Sequence, residues 1–311
     1  MRALYIEYFN ILYHAAGLYL KLRNKLFLLI YSVCLCSAAA SAQQGHIIMD
    51  ALHNTPVAFA TVSSKNSYAT AGENGYFNTS PFGKTDTLYI HCIGYTGDTM
   101  YIANLTDTVF LQPSKLTLPE VVIKATGNPQ ITINNYTGKR TVRAWGDVAG
   151  IERATRLDFP EVDKGRVKKI NAVGIKMKKK TNSNLCRLHL YAAKADGSPG
   201  EELLNRNVFI TKEDIKGRTC TKDLSAENIY TSANGIFIGI EYVGQVFTNS
   251  AGTIIADTTK EYNRSVIFET LHYTDAATYT RTSIYRNWVL LDGSPFDDGH
   301  PVNMMVSVKY E

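Results

Sequence analysis

Three carboxylates lie close together near the end of the chain. Asp292, Asp297 and Asp298 fall within one short stretch that begins with Asp-Gly-Ser-Pro. Calcium prefers several oxygen ligands, so these side chains could contribute to a calcium site. Their spacing differs from that of an EF-hand loop, and the same four-residue string at 196–199 is typical of a tight turn. We therefore favour two loop turns over the calcium site, which stays a speculative hypothesis.

The motifs of common hydrolases and nucleotide enzymes are absent. No histidine beyond residue 42 is followed three positions later by glutamate, and no His-Glu-x-x-His occurs, so the zinc-hydrolase pattern is missing. Gly-x-Ser-x-Gly is also missing, and the nearest string, Gly197-Ser198-Pro199-Gly200, is one residue short. There is no Walker or dinucleotide-binding fingerprint. We predict no catalytic residue and no cofactor.

Beyond residue 42 the chain has three cysteines, Cys92, Cys186 and Cys220. Their spacing resembles no zinc site. Cys186 and Cys220 could form a disulfide, and buried free thiols are an equally good interpretation.

Basic and aromatic side chains offer two possible binding surfaces. Attraction to anionic glycans or lipid phosphates is one interpretation of the basic residues, but a solvated strand face explains them more simply. Aromatic rings can cover the apolar face of a sugar, but core filling and strand propensity account for them more simply, and we expect Trp288 in the core. The basic residues are Lys164, Arg166, Lys168, Lys169, Lys176, Lys178, Lys179 and Lys180, and the aromatic candidates are Trp145, Trp288, Tyr191, Tyr230 and Tyr285.

Composition and charge narrow the class of protein. The 311 residues are 45% hydrophobic and 20% charged, as in ordinary globular proteins. The formal charge is +5, and the first 42 residues supply three of those charges. The balance is too even for a nucleic-acid-binding surface, so no nucleic-acid partner is expected.

The first 42 residues carry the signature of an export signal. Basic residues at 21–25 precede an apolar run at 26–35, and Ala40-Ser41-Ala42 suits a signal peptidase. We expect cleavage after Ala42, and residues 1–20 form an N-terminal extension that suggests a translation start nearer Lys21. The alternative is an uncleaved segment, which would be the chain's only contact with a membrane.

Short alternating runs separated by turn residues dominate the rest of the chain, which predicts an all-β fold. Phe59 and Thr61 share one face of a strand predicted at 57–63. In the strand predicted at 185–191, Cys186, Leu188 and Leu190 share one face, and Arg187, His189 and Tyr191 share the other. We expect a β-sandwich at 43–112, a linker with one β-prone segment at 113–140, and a larger β-sandwich at 141–311.

The first sandwich resembles the carboxypeptidase regulatory-like domain, a small transthyretin-like (Ig-like) sandwich found in exported proteins of Gram-negative bacteria. The resemblance rests on the segments 45–50, 55–62, 69–77, 86–90 and 93–95. Residues 141–311 more weakly resemble a jelly-roll-like domain of exported bacterial proteins. The resemblances imply fold and export, and they carry over no enzyme activity.

These observations predict a non-catalytic protein that binds a partner or has a structural role. We expect it in the periplasm, on the outer-membrane surface or secreted, with a glycan or another envelope protein as its partner. A carbohydrate-binding module is the first alternative. A hydrolase whose active site is assembled from distant residues is the second, and convergent acids or a histidine beside a carboxylate would favour it.

Overall fold

The structure is a computed structural model. It describes residues 23, 45–114, 130–136, 139–141, 150–160, 167–179, 184–210, 214–231, 234–248, 254–257, 267–268, 270–272, 277–282, 287–292 and 301–311. The expected signal segment therefore lies outside the described residues, apart from Arg23. Residues Gly45–Glu311 form one compact unit. None of the helices in the described ranges is long and apolar enough to cross a membrane.

The fold is all-β, as predicted. The first part contains strands β1 to β7, in chain order: Gly45–Asp50, Thr61–Ser63, Tyr68–Thr70, Tyr76–Asn78, Thr87–His91, Asp98–Tyr101 and Thr108–Leu111, with a 3₁₀ turn at Ile102–Asn104. Three strands form a sheet in the order β4-β1-β7, and four form a second sheet in the order β3-β2-β5-β6. Apolar side chains such as Ile48, Val62, Ile90 and Val109 are buried in one core cluster.

Strand β2 is shorter than the predicted strand at 57–63. Phe59 has a φ of 55°, in the left-handed region that bulky side chains rarely adopt. This conformation interrupts the extended backbone, so the strand begins only at Thr61. The alternation of side chains therefore does not extend back to Phe59.

The second part contains eighteen of the described strands and a 3₁₀ turn at Ser225–Glu227. Strands β8 to β25 are, in chain order: Ile131–Asn134, Lys139–Thr141, Glu152–Leu157, Lys169–Lys179, Asn184–Ala193, Pro199–Glu202, Val208–Ile210, Ile215–Lys216, Thr219–Asp223, Ile229–Tyr230, Ile236–Thr248, Ile254–Asp257, Ile267–Phe268, Thr270–His272, Thr278–Arg281, Val289–Leu290, Val302–Met304 and Val306–Tyr310.

Two large sheets dominate this part. The 8-stranded sheet has the order β13-β12-β18-β10-β22-β23, with β14 on β12 and β19 on β18. The 7-stranded sheet has the order β15-β16-β11-β25-β8, with β17 and β20 on β11. Strands β24-β21-β9 form a third sheet. The predicted face of Cys186, Leu188 and Leu190 packs in one core cluster with Val173 and Val308.

The polar segment 127–140 contributes strands that its composition did not predict. Strand β8 pairs with β25, which joins Ile131–Asn134 to the 7-stranded sheet, and Lys139–Thr141 pairs with β21. The β-prone run at 118–125 lies outside the described residues. Cys92, Cys186 and Cys220 are buried and form no disulfide within the described residues, and burial raises the pKa of Cys220 to about 12.

The two sandwiches touch closely at Gly94. Its φ of +87° is in the left-handed region, and a Cβ atom there would lie 2.2 Å from the backbone oxygen of Asn205 in the second sandwich. The neighbouring Ile93 is buried in the core cluster of the second sandwich. Glycine at position 94 therefore allows the two backbones to approach each other.

We expect Gly94→Ala to destabilise the protein more than Gly217→Ala. Both glycines have positive φ, but nothing lies within 4 Å of a Cβ atom built on Gly217. The control variant should cost about 1 kcal/mol of unfolding free energy, and Gly94→Ala should cost roughly 1–3 kcal/mol more because the sandwiches must move apart. Urea unfolding measures both. Equal losses would mean that the contact with Asn205 contributes nothing.

Candidate functional site: a buried charged seam between the sandwiches

Four charged side chains form a row across the outer face of the 8-stranded sheet. Arg187 on β12 lies opposite Glu241 on β18, Glu241 lies opposite Glu152 on β10, and Glu152 lies opposite Arg281 on β22. Glu152 and Glu241 are adjacent like charges, an unfavourable cross-strand pair by themselves. An arginine at each end of the row compensates them.

Arg187 is the centre of the contact between the sandwiches. The side chain is fully buried, and its Nη1 donates to Glu241 Oε2 at 2.9 Å and to Thr61 Oγ1 at 3.1 Å. Its Nη2 donates to the backbone oxygen of Phe59. Thr61 and Phe59 belong to the first sandwich and Glu241 to the second. One guanidinium group therefore joins both halves.

Glu241 and His189 extend this network. Glu241 Oε1 accepts a hydrogen bond from Tyr68 in the first sandwich at 3.0 Å, and its Oε2 lies 3.3 Å from His189 Nε2. The other ring nitrogen of His189, Nδ1, lies 2.6 Å from Glu202 Oε2. Both ring nitrogens of His189 thus face carboxylates. We call this network the seam; its members are Phe59, Thr61, Tyr68, Thr70, Arg187, His189, Glu202 and Glu241.

The first sandwich covers the seam with a polar sheet face. Thr61, Tyr68 and Thr70 lie on adjacent strands β2 and β3, and Thr61 pairs with His91 on β5. Thr61 and Thr70 are buried, and Thr70 Oγ1 donates to the backbone oxygen of Val243 at 3.3 Å. The opposite face of the same sheet is apolar. Both faces of this small sheet are therefore buried, and the polar one faces the charges.

A second cluster continues the row beyond the seam. Arg281 donates to Glu152 Oε2 at 2.8 Å and to the Tyr191 hydroxyl at 2.7 Å, and this hydroxyl donates to Glu152 Oε1 at 2.6 Å. The guanidinium of Arg281 lies 4.2 Å from the centroid of the Trp288 ring. Gly239 leaves room for these side chains, because a Cβ atom there would lie 3.0 Å from Glu152 Oε1 and 3.0 Å from His189 Cβ.

The pairing fixes the protonation states in the seam. Burial by itself raises the pKa of Glu241, but the charge of Arg187 and contacts with His189 outweigh it and hold that pKa well below its usual range. Burial likewise lowers the pKa of His189, but the charges of Glu152 and Glu202 outweigh it and raise the pKa to about 9. Near neutral pH the seam therefore holds a charged histidine and a charged glutamate.

His91 borders the seam and has the opposite electrostatic environment. Burial, together with the positive charges of Arg187 and His189, lowers its pKa to about 3. Among the described residues its Nδ1 has no hydrogen-bond partner, and the same holds for Nε of Arg187. His91 is thus neutral beside a cationic group.

The seam contains the residue types of an acid–base site, but its geometry favours a structural role. A general base at neutral pH needs an accessible, unprotonated nitrogen, whereas His189 is fully buried and stays protonated. Glycoside hydrolysis needs one carboxyl group that remains protonated, and the pKa of Glu241 is lowered instead.

The calcium hypothesis stays a prediction. Asp292 is exposed, while Asp297 and Asp298 lie outside the described residues, and no group of three potential metal ligands occurs among the residues that are described. The related string at 196–199 forms a turn in which Asp196 accepts hydrogen bonds from Ser198.

The predicted surface residues have mixed outcomes. Tyr191, one of the aromatic candidates for a sugar-binding surface, is buried because Glu152, Arg281 and Trp288 surround it. Trp288, expected in the core, is only partly buried.

In the basic cluster Lys168, Lys169 and Lys176 are partly buried, and nothing is described of the side chains of Lys164, Arg166, Lys178, Lys179 and Lys180. Trp145 and Tyr285 lie outside the described residues, and Tyr230 is partly buried.

Sequence reasoning placed Arg187, His189 and Tyr191 on one strand face but did not identify them as a site. The signal was the presence of two ionisable residues in an otherwise apolar strand. Glu241, in the apolar run 236–243, gives the same signal. Charged residues are rarely fully buried unless they are paired, so these positions predict partners.

Comparison with known proteins identifies no relative. No protein-family model, no curated protein and no solved structure matches the chain.

We expect Glu241→Gln to destabilise the protein by roughly 3–5 kcal/mol, because it leaves the Arg187 guanidinium buried without its counter-charge. Glu201→Gln is the matched control, since Glu201 is exposed and should change the unfolding free energy by less than about 0.5 kcal/mol. Urea unfolding at neutral pH measures both variants. Similar small losses would show that the seam is not a major source of stability.

We also expect stability to fall on the alkaline side. The pKa of His189 is about 9 in the folded protein, above its ordinary 6.5, so protonated His189 stabilises the fold fully below pH 6.5. This contribution, on the order of 3 kcal/mol, is lost as the pH rises from 6.5 through about 9. In His189→Gln the loss between these pH values should shrink. Equal losses of stability in the wild-type protein and in His189→Gln would show that deprotonation of His189 is not the cause.

Proposed function

We propose that this chain is a non-catalytic protein of the cell envelope or the secreted fraction, which binds a partner or has a structural role. One observation carries the proposal. The charged groups of the seam pair with one another on the second sandwich, and Arg187 and Glu241 also form hydrogen bonds to the first sandwich. Their chemistry holds the halves together, so the protein presents a rigid surface made of two sandwiches.

Two further observations support this proposal. The seam residues Arg187, His189 and Glu241 have almost no solvent exposure, so a substrate would have to separate the sandwiches to reach them. The pairing of Arg187 with Thr61 and with the backbone of Phe59 makes such a separation costly, because a buried cation would lose its partners.

We further propose that the first sandwich is a carboxypeptidase regulatory-like domain and that residues 1–42 direct export. The arrangement of seven strands in a three-stranded and a four-stranded sheet supports the first part. The basic and apolar segments and the Ala-Ser-Ala site support the second. For residues 141–311 a jelly-roll-like identity remains part of this proposal.

A hydrolase is the second candidate, and His189 Nδ1 at 2.6 Å from Glu202 Oε2 is the observation that favours it. A histidine oriented by a carboxylate is a common catalytic pair. Glu202 keeps 22% of its side-chain exposure, so it is the member of the pair nearest to solvent. If the protein is a hydrolase, a substitution of His189 or Glu202 should abolish turnover. If the pair is structural, the same substitution should change only the stability.

We expect the purified protein to show no turnover of peptide, ester or glycoside substrates. His189→Gln should lower the unfolding free energy, because it removes a buried charge from a paired network, and should change no catalytic rate. Substrate panels with chromogenic leaving groups provide the measurement, with Glu201→Gln as the matched control. Turnover that is abolished by His189→Gln or Glu202→Gln, in protein that remains folded, would establish the hydrolase instead.

A further inference from the structure

A small cleft lies at one end of the 8-stranded sheet, away from the seam. It has a volume of about 270 Å³ and is lined by Arg156, Asp158, Phe159, Lys194, Asn234 and Gly235 among others. Three separate connections meet there: the end of β10, the turn between β12 and β13, and the residues before β18. Its volume is at the small end of the range for ligand pockets, which suits one small polar molecule.

Arg156 provides an oriented cation in the cleft. Its Nε donates to Asp158 Oδ1 at 2.8 Å, and its Nη2 donates to the backbone oxygen of Asn234 at 3.3 Å. These two contacts fix the plane of the guanidinium. Nη1 has no hydrogen-bond partner among the described residues, and the side chain is 32% exposed. A planar, pre-oriented guanidinium with a free donor is suited to a carboxylate.

Lys194 provides a second cation. The residue is exposed, and among the described residues its ammonium group forms no hydrogen bond or ion pair. Arg156 pairs with Asp158, and Lys194 interacts electrostatically with Asp196 in the same turn, so both signs of charge are present at the cleft. Arg156 Nη1 and the Lys194 ammonium remain available as charged donors, which favours a ligand with a carboxylate over an apolar one.

The remaining lining groups accept hydrogen bonds or are apolar. Asp158 is largely exposed, with 62% of its side chain accessible, and Asn234 adds a side-chain amide. Phe159 is buried, and its ring is fixed edge-on against Tyr310 at 5.0 Å. Acceptors beside the two cations suit a ligand that has hydroxyl groups as well as a negative charge.

We propose that this cleft binds one acidic sugar residue, a uronic acid, through its carboxylate and neighbouring hydroxyls. Arg156 and Lys194 hold the carboxylate, while Asp158 and Asn234 accept hydrogen bonds from hydroxyls. A phosphate group fits less well, because it is mainly a hydrogen-bond acceptor and the carboxylate of Asp158 repels its second negative charge. An acidic peptide fits less well, because the carboxylate of Asp158 repels the additional carboxylates of such a chain. This inference rests on the proposed binding function and specifies the class of its partner.

The test is isothermal titration of the purified protein with D-glucuronate, D-glucose, inorganic phosphate and a tetra-aspartate peptide. We expect D-glucuronate to bind, with the other three probes at least about tenfold weaker. Lys194→Gln and Arg156→Gln should each weaken D-glucuronate binding about tenfold, because each removes a charge-assisted contact. Lys216→Gln is the matched control: Lys216 is exposed on β15, away from the cleft, and binding should not change.

Several results would overturn the proposal. These are failure of D-glucuronate to bind, binding unaffected by both cleft variants, and tighter binding of phosphate or of the peptide. Lys194 is exposed, so Lys194→Gln should keep its melting temperature and remain informative even where Arg156→Gln loses stability. A negative result here leaves the turnover measurements unchanged, whereas turnover that depends on His189 overturns the proposed function itself.

Discussion

The burial of the Arg187 guanidinium is the constraint on which the two-sandwich arrangement depends. A cation removed from water carries a large desolvation penalty unless it is paired and hydrogen-bonded. Glu241 in the second sandwich supplies the counter-charge, while Thr61 and the backbone of Phe59 in the first sandwich supply acceptors. Neither sandwich alone provides both the counter-charge and all the hydrogen-bond acceptors of Arg187. The charge therefore specifies the position of one sandwich on the other.

Other features of the contact follow from this arrangement. Phe59 has its carbonyl oriented toward Arg187 by a left-handed backbone, a conformation that costs about 1–3 kcal/mol in most settings. The Phe59 ring packs edge-on against Phe209 of the second sandwich at 5.0 Å. Apolar packing and a charge-assisted hydrogen bond thus act on the same residue. Together they offset the unfavourable local conformation.

The sequence predicts the parts of this fold that depend on periodicity. Alternation placed Cys186, Leu188 and Leu190 on one strand face, and all three are buried. Periodicity tells which residues share a face but not what covers that face, so the burial of Arg187 and His189 required the three-dimensional structure. The start of β2 was also missed, because no side-chain pattern reports the left-handed φ of Phe59. The calcium site suggested for Asp292, Asp297 and Asp298 remains a hypothesis.

The polar character of the hidden sheet face has a consequence for biogenesis. Translation makes the first sandwich before the second, so Thr61 and Thr70 meet water before they meet Arg187 and the backbone of Val243. Hydroxyl groups are well hydrated, so on a half-made chain the apolar part of this surface is limited to residues such as Phe59 and Ile93. When the second sandwich docks, Thr61 exchanges its hydrogen bonds with water for bonds to Arg187 and Glu241. A purely apolar contact of equal area would hold the two sandwiches together as firmly. It would, however, leave a larger apolar patch exposed on the incomplete chain and make that chain more prone to aggregation.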